Sequence, residues 1–455
     1  MNLSEYLDTL LAQIRCKKAR PMIMEEIRAH IEDQAQAYRT DGMKEEEALE
    51  KAVLEMGDPV EAGVALDRIH KPKMQWELVI LVFALSLFGM IMQIVIFKAG
   101  ALTNDTNLTT IRSDFIGNAV FNTIAAFLVM TLVCLLDYSY LGRHPVALWW
   151  ILTGLILLHH FTYGYQMLMR NGFGYDMLTV MGPVFAAVVF CYKGKGSKGF
   201  LKCIALYVVL MLLLRPANIT LSGKLEITAV VLLILTIAII KGWFGEKKGK
   251  KLLLLWLPTL GIPSAVCAVA LCFNDKIRLL AEYQAARIYA IFSQPKDLNN
   301  ICSAVSEEIG KTTLFGAKDL PLKTLPAIQN DYIVTSMFTY FGVVFSVLVL
   351  CVIAYFLWKA FVISFRSKNE LGFIVSVSCV ALLSFKSVVY LLSNLGFYSG
   401  FSQMSMPFLS YGLGNALANA VLVGFLLSVY RNKDIVSGKN VKPQYTFRLP
   451  FAKAQ

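Results

Sequence analysis

Asp331 stands where a polar stretch gives way to an apolar one, in Leu325-Pro326-Ala327-Ile328-Gln329-Asn330-Asp331-Tyr332-Ile333. A carboxylate at a membrane boundary is partly desolvated, which raises its pKa and makes it a better proton acceptor. An Asp just before an apolar helix is also a favoured N-cap, and position alone favours that role; the two do not exclude each other. A second candidate runs from Asn394-Leu395-Gly396 to Pro407-Phe408-Leu409-Ser410-Tyr411-Gly412-Leu413-Gly414-Asn415. Pro, Gly and Ser interrupt the helical pattern there, and non-helical backbone at membrane depth is tolerated where it lines a cavity. The alternative is an ordinary re-entrant turn. Lys386 is the third candidate, because an ionisable group inside an apolar run is functional by default. It could instead snorkel outward, or pair with a carbonyl of the Ser410–Gly414 turn.

The elements that must position these groups follow from composition. The chain has 455 residues, 56% hydrophobic and only 16% charged, with a mean hydropathy of +0.58. That excludes a soluble globular protein and, for most of the chain, disorder. The net charge of +12 is spread over short loops beside apolar runs, which argues for a membrane protein and against nucleic-acid binding. The nine cysteines show neither the clustering of a disulfide framework nor zinc-ligand spacing, so they read as small buried hydrophobes. No metal site and no cofactor is identified; a divalent cation is left open.

Residues 1–72 read as a cytoplasmic helical prefix domain. Ser4 is placed to cap a first helix, Pro21 suits a second helix start, Glu45 to Met56 form a third, and Gly57-Asp58-Pro59 precedes a fourth ending near His70. From Trp76, runs of membrane-spanning length recur, each needing ~20 residues to cross. They are expected near 76–97, 115–136, 146–163, 177–192, 200–215, 225–241, 252–273, 332–358, 371–393 and 413–430, the fourth and fifth being short. The predicted fold is therefore all-α: a polytopic membrane protein of about ten transmembrane helices (73–435), with a small soluble helical N-terminal domain and a cytoplasmic tail (436–455). Lys193, Lys195, Lys198, Lys202, Lys241, Lys247, Lys248, Lys250, Lys251, Lys359, Arg366, Lys368, Arg431 and Lys433 then share one face with both termini, which the positive-inside rule makes the cytoplasm. Lys224 and Glu226 read as boundary charges of the sixth span. Trp76, Trp149, Trp150, Trp243 and Trp358 read as interfacial residues. The 274–331 loop is too long for a mere connector, and loops of that kind are usually functional. Its first part, 275–293, reads as a surface helix.

These residues carry a resemblance. Pro407-Phe408-Leu409-Ser410-Tyr411-Gly412, followed by a final apolar helix, resembles the Pro-Phe-(Ile/Leu/Val)-Ser-Tyr-Gly-Gly-Ser-Ser signature of the SEDS family (shape, elongation, division and sporulation; the FtsW/RodA/SpoVE group). Asn394-Leu395-Gly396 resembles its Asn-(Ile/Val)-Gly. Leu325, Pro326, Asp331 and Ile333 match its Leu-Pro-x-x-His-Thr-Asp-Phe-Ile. Leu314-Phe315-Gly316 and Arg287 with Gln294-Pro295 fit further motifs, so roughly the last 200 residues carry the match. Ten spans with a long loop after the seventh is also the family's topology. There are departures. His-Thr is Gln329-Asn330 here, the downstream Glu-Glu-Leu-Gly is Tyr340-Phe341-Gly342, Gly-Ser-Ser is Leu413-Gly414-Asn415, and the Gln-Pro-Ser-Glu…Lys of the fourth span has no clear counterpart around Met181-Gly182-Pro183. The prefix lies outside the family plan and resembles helical domains ahead of some bacterial permeases and signalling proteins.

The resemblance implies a peptidoglycan glycosyltransferase in the bacterial cytoplasmic (inner) membrane. It would polymerise lipid II at the outer face, with Asp331 as general base. Arg287, Lys318 and Lys323 would bind the pyrophosphate of the substrate, with Asn394, Pro407, Ser410, Tyr411 and Lys386 completing the binding site. A class B penicillin-binding transpeptidase is the implied partner, beside lipid II and membrane lipids. The basic loop residues could equally face solvent or anionic headgroups. A second reading is a catalytically degenerate member that binds lipid-linked precursor or scaffolds cell-wall enzymes. A third, a transporter or flippase, would call for inverted repeats and several mid-membrane charges; no repeat is visible and only Lys386 is clearly intramembrane.

Overall fold

The computed structural model describes residues 1–17, 19–101, 108–171, 173–214, 221–257, 259, 301–316, 331–367, 369–396 and 405–433. Four helices form the prefix: α1 Leu3–Gln13, α2 Arg20–Thr40, α3 Glu45–Glu55 and α4 Pro59–His70. Tyr6, Leu10, Ile14, Ile23, Ile31 and Ala35 recur at helical spacing and bury in a core of their own, as amphipathic helices require. Asn2, not Ser4, caps α1: its side chain accepts from the Glu5 amide at 2.8 Å, and Ser4 lies inside the helix. Asp58 caps α4, accepting from the Val60 amide at 2.9 Å, with Pro59 in the first turn.

The remainder is helical and, apart from residues 301–310, which pack in a small cluster with Tyr332 and Tyr340, shares one continuous core. The helices are α5 Trp76–Ala101, α6 Leu108–Leu135, α7 Ser139–Arg143, α8 Pro145–Asn171, α9 Phe173–Cys191, α10 Gly196–Leu213, α11 Leu221–Ile240, α12 Lys248–Trp256, α13 Ile301–Gly310, α14 Ile333–Phe341, α15 Val343–Phe365, α16 Glu370–Asn394 and α17 Leu413–Arg431. Among the described residues seven of these, α5, α6, α10, α11, α15, α16 and α17, are long and apolar enough to cross a membrane, and α8 and α9 contain shorter apolar helices. The expected span at 252–273 falls mostly outside the described residues, as do the 275–293 helix and the 436–455 tail. The protein is a multi-pass membrane protein.

One expected span differs. The apolar run 332–358 is not one helix: it breaks at Gly342, whose φ of +85° suits glycine. Residues 313–316 lie against the break, where Val343 and Val344 donate to the carbonyls of Thr313 and Leu314 at 3.1 and 3.3 Å. The crossing helix therefore starts at Val343, and α14 is a separate short helix. The two ends of the bundle are chemically distinct. At one, Lys193 pairs with Glu370 and Lys359 with Glu77 at 2.6 Å, near Lys195, Lys241 and Lys247. Asp331 and the 405–412 segment lie at the other, called the site end below. Trp149 and Trp243 are buried in the core rather than interfacial, whereas Trp76, Trp150 and Trp358 are exposed as expected.

Candidate functional site

The site end is built where helices start and stop. Backbone amides and carbonyls freed at such places need partners, because no water reaches them inside a membrane domain. α14 begins at Ile333, and its first amide donates to the Tyr390 hydroxyl of α16 at 3.0 Å. The Thr335 amide donates to Asn394 Oδ1 at 3.1 Å. Asn394 Nδ2 donates to the Asp331 carbonyl at 2.9 Å, and the Thr335 hydroxyl to the Asn394 carbonyl at 2.9 Å. One fully buried carboxamide thus fixes both the start of α14 and the backbone of Asp331.

Asp331 is not an N-cap. Tyr332 occupies the cap position and no side chain caps the helix. The Asp331 carboxylate makes no cap hydrogen bond to the helix, and its buried Oδ1 takes no hydrogen bond among the described residues. Burial alone pushes its pKa from the ordinary 3.8 up to about 6, because the charged form loses hydration and gains no compensating donor. The expected cap role is thus not found, and the buried Oδ1 is left without a hydrogen bond among the described residues.

The 405–412 segment packs beside it. The Met406 amide donates to Ser410 Oγ at 2.8 Å, and Ser410 is also hydrogen-bonded to the Tyr390 side chain. Asn415 Nδ2 reaches the Ser410 carbonyl at 3.4 Å, and Gln93 of α5 donates to the Leu409 carbonyl at 2.7 Å. Phe408 is left-handed, with a φ of +68°, an uncommon state for a bulky residue that marks a tightly held turn. The turn sits so close to α5 that a Cβ on Gly89 would lie 2.0 Å from the Phe408 carbonyl oxygen. The ring of Tyr411 stacks on Phe115, centroids 4.5 Å apart, and its hydroxyl bonds Asn118.

The structure thus links Asp331, Asn394 and Ser410, with Pro407 and Tyr411 flanking Ser410 on the same turn. Tyr390 is the linking residue that sequence reasoning missed. The available signal was a polar aromatic one helical turn before Asn394 in an apolar helix. Lys386 lies one further turn along α16, fully buried. It neither snorkels nor meets the turn, but pairs with Asp176 of α9, Nζ to Oδ1 at 3.7 Å. Glu226, expected as a boundary charge, is 2% exposed and lies within electrostatic reach of Asp176. Arg287, Lys318 and Lys323 lie outside the described residues. No cluster of three metal-ligating side chains occurs among the described residues.

Comparison with known proteins agrees with this architecture. A family model described as a cell cycle protein, the FtsW/RodA/SpoVE model, matches residues 177–435. No curated protein matches the sequence. Among solved structures, the chain is similar to one from a peptidoglycan synthase complex that coordinates polymerization and crosslinking, with a TM-score of 0.57 and 17% identity, over 79% of this chain and 98% of that one. It is also similar to an aspartate-to-alanine mutant of the rod shape determining protein RodA of Thermus thermophilus, with a TM-score of 0.50 and 16% identity, over the same shares.

Proposed function

Because the chain belongs to the SEDS family of multi-pass membrane proteins of bacterial cell-wall synthesis, we propose that it is a peptidoglycan glycosyltransferase that polymerises lipid II. In this reading the 4-hydroxyl of one sugar attacks the anomeric carbon of another. A carbon–oxygen bond forms, the bond to undecaprenyl pyrophosphate breaks, and the hydroxyl proton passes to Asp331. The observation that carries the proposal is the half-buried Asp331: its Oδ1 is buried without a hydrogen bond among the described residues, and Asn394 holds it through its backbone rather than its charge. A base must be unprotonated yet avid for a proton at working pH, and burial brings Asp331 toward that condition.

The site end faces outward in this reading, with the lysine-rich end and both termini in the cytoplasm. Arg287, Lys318 and Lys323 would meet the charge of the departing pyrophosphate. A class B penicillin-binding transpeptidase is the proposed partner, by analogy with the peptidoglycan synthase complex.

A second reading is favoured by the departures beside the base. Gln329-Asn330, Tyr340-Phe341 and Leu413-Gly414-Asn415 stand where the family carries His-Thr, two glutamates and Gly-Ser-Ser. A degenerate member would bind precursor without polymerising it. Incubation of the purified protein with lipid II, wild type beside Asp331→Asn, with and without a candidate transpeptidase, separates the two. Glycan strands from wild type and none from a folded mutant support the enzyme. Bound but unpolymerised lipid II in both favours the degenerate reading, and equal strands from both would remove Asp331 from the base role.

A further inference from the structure

A cleft of about 50 Å³ lies between α5, α6 and α17, beneath the 408–412 turn. It is separate from the Asp331 carboxylate and is graded in polarity. Toward the site end its polar lining is Gln93, Asn122, Ser410, Asn415 and Asn419, beside Phe408 and Ala119; toward the other end it is lined by Val82, Phe127 and Met130, with Ser86 the one polar exception. Val82 to Gln93 is eleven residues of helix, or about 16 Å along the membrane normal. Among the described residues no charged side chain lines it.

Asn419 is the informative residue. It is 1% exposed, and its Nδ2 donates to Asn415 Oδ1 at 2.7 Å. That same oxygen already accepts from Ser405 at 2.7 Å. Asn419 Oδ1 takes no hydrogen bond among the described residues and lines the cleft. A buried carbonyl oxygen left without a donor costs free energy, so the site asks for a hydroxyl or amide donor from outside the protein.

The direction of access follows from the rings above it. Phe97 of α5 stacks on Phe115 of α6 with centroids 4.1 Å apart, and Phe115 stacks on Tyr411 at 4.5 Å. This three-ring stack lies toward the site end, one helical turn from Ala119 of α6 and next in sequence to Ser410 and Gly412, all three of which line the cleft. On the flanks, Phe83 and Leu87 of α5 and Phe121 and Ile124 of α6 are exposed and face the bilayer. They are sequence neighbours of cleft-lining residues, so the approach is from the lipid.

We propose that this cleft binds a lipid of the leaflet at the site end, one with an uncharged, hydroxyl-bearing head. A head hydroxyl donates to Asn419 Oδ1, and the first chain carbons lie against Phe127 and Met130. The polarity gradient runs in the sense of a lipid in that leaflet, head toward the surface and chain toward the midplane. A phosphate head would bring charge into a lining of neutral amides with no cation to meet it, which is unfavourable at low dielectric.

The test uses the full chain, reconstituted in vesicles of equal parts phosphatidylglycerol and diglucosyl-diacylglycerol and extracted for native mass spectrometry. Wild type is expected to retain the uncharged glycolipid in preference to phosphatidylglycerol. Asn419→Leu, similar in size, is expected to lower that preference about five- to tenfold, as loss of one buried hydrogen bond implies. Equal retention of the two lipids by wild type, or an unchanged preference in Asn419→Leu, overturns the proposal. A density map showing only ordered water in the cleft, with no lipid retained, overturns it as well. The wild-type competition decides even where the variant does not fold. Neither readout needs lipid II, so the result is independent of whether the protein polymerises it.

Discussion

Replacing the proposed base should make the protein more stable. The Asp331 pKa moves from 3.8 to about 6 through burial alone. That difference amounts to ~3 kcal/mol of penalty on the ionised form once the pH is well above both values. An asparagine keeps the shape and removes the charge, but its amide must still be desolvated at ~1 kcal/mol. The expected gain for Asp331→Asn at pH 8 is therefore about 1–3 kcal/mol, or a few degrees in Tm. The sign in pH follows from linkage. The folded-state pKa lies above the unfolded one, so the folded protein holds the proton more tightly between about pH 4 and 6. The wild type loses stability as pH rises through that window. The advantage of Asp331→Asn should be full at pH 8 and nearly gone at pH 4.5. Thermal unfolding of both proteins in the same nanodisc, at both pH values, measures it. A mutant less stable at pH 8, or a gain that does not change with pH, would refute the reasoning that the carboxylate is buried without a donor.

The same pKa predicts that wild-type polymerisation falls tenfold per pH unit below about 6, read from initial rates of glycan formation. Asn394→Leu should cost about 2–4 kcal/mol and most of the activity, since it frees the Asp331 carbonyl and the Thr335 amide together; thermal unfolding and strand assays report both. Lys386→Met should destabilise by about 3–5 kcal/mol by stranding Asp176, while Lys386→Met with Asp176→Leu should recover much of it, as a double-mutant cycle of unfolding measurements would show. Gly342→Ala should lose at least ~2 kcal/mol, because φ is +85° and a Cβ would sit 2.4 Å from the Gly316 amide nitrogen; limited proteolysis between residues 313 and 343 should then accelerate.

Length and hydropathy made the helices legible. A span needs only a sufficient apolar run, and each run at 76–97, 115–136, 371–393 and 413–430 became one helix. Punctuation was less legible. The run 332–358 is uniformly apolar, and its break at Gly342 depends on residues 313–316 arriving from a distant part of the chain to take the freed amides. Local sequence contains no record of that contact. The site was legible as motifs, at Asp331, Asn394 and Ser410. The partner of each group was not, because partners come from other helices. Asp331 sits in a cap-like position, yet Asn394 and Tyr390 reach the start of α14 from α16, 57 to 63 residues away. With those amides served, the carboxylate stays uncommitted. Lys386 follows the same logic: nothing near it in sequence points to Asp176.

This arrangement explains why, among the described residues, the side chains that serve the backbone around Asp331 are neutral. Three discontinuities meet at the site end: the start of α14, the end of α16 and the 405–412 turn. Each exposes backbone groups inside a membrane domain, and each is served by a side chain, from Tyr390, Asn394, Ser410 or Gln93. Had a carboxylate or lysine served them, its charge would have stabilised or neutralised Asp331 and set its proton affinity. Amides and hydroxyls satisfy the backbone without doing so, and desolvation alone then sets the pKa. It follows that truncating these residues to alanine cannot separate catalysis from folding, because each loss orphans a buried backbone group. Shape-preserving changes can. Tyr390→Phe removes the acceptor of the Ile333 amide and the hydrogen bond to Ser410 and leaves the ring packing in place, whereas Asp331→Asn changes the charge and leaves the backbone hydrogen bonds of the site intact. If the base reading is right, the first should weaken the protein more than the chemistry, and the second should do the reverse.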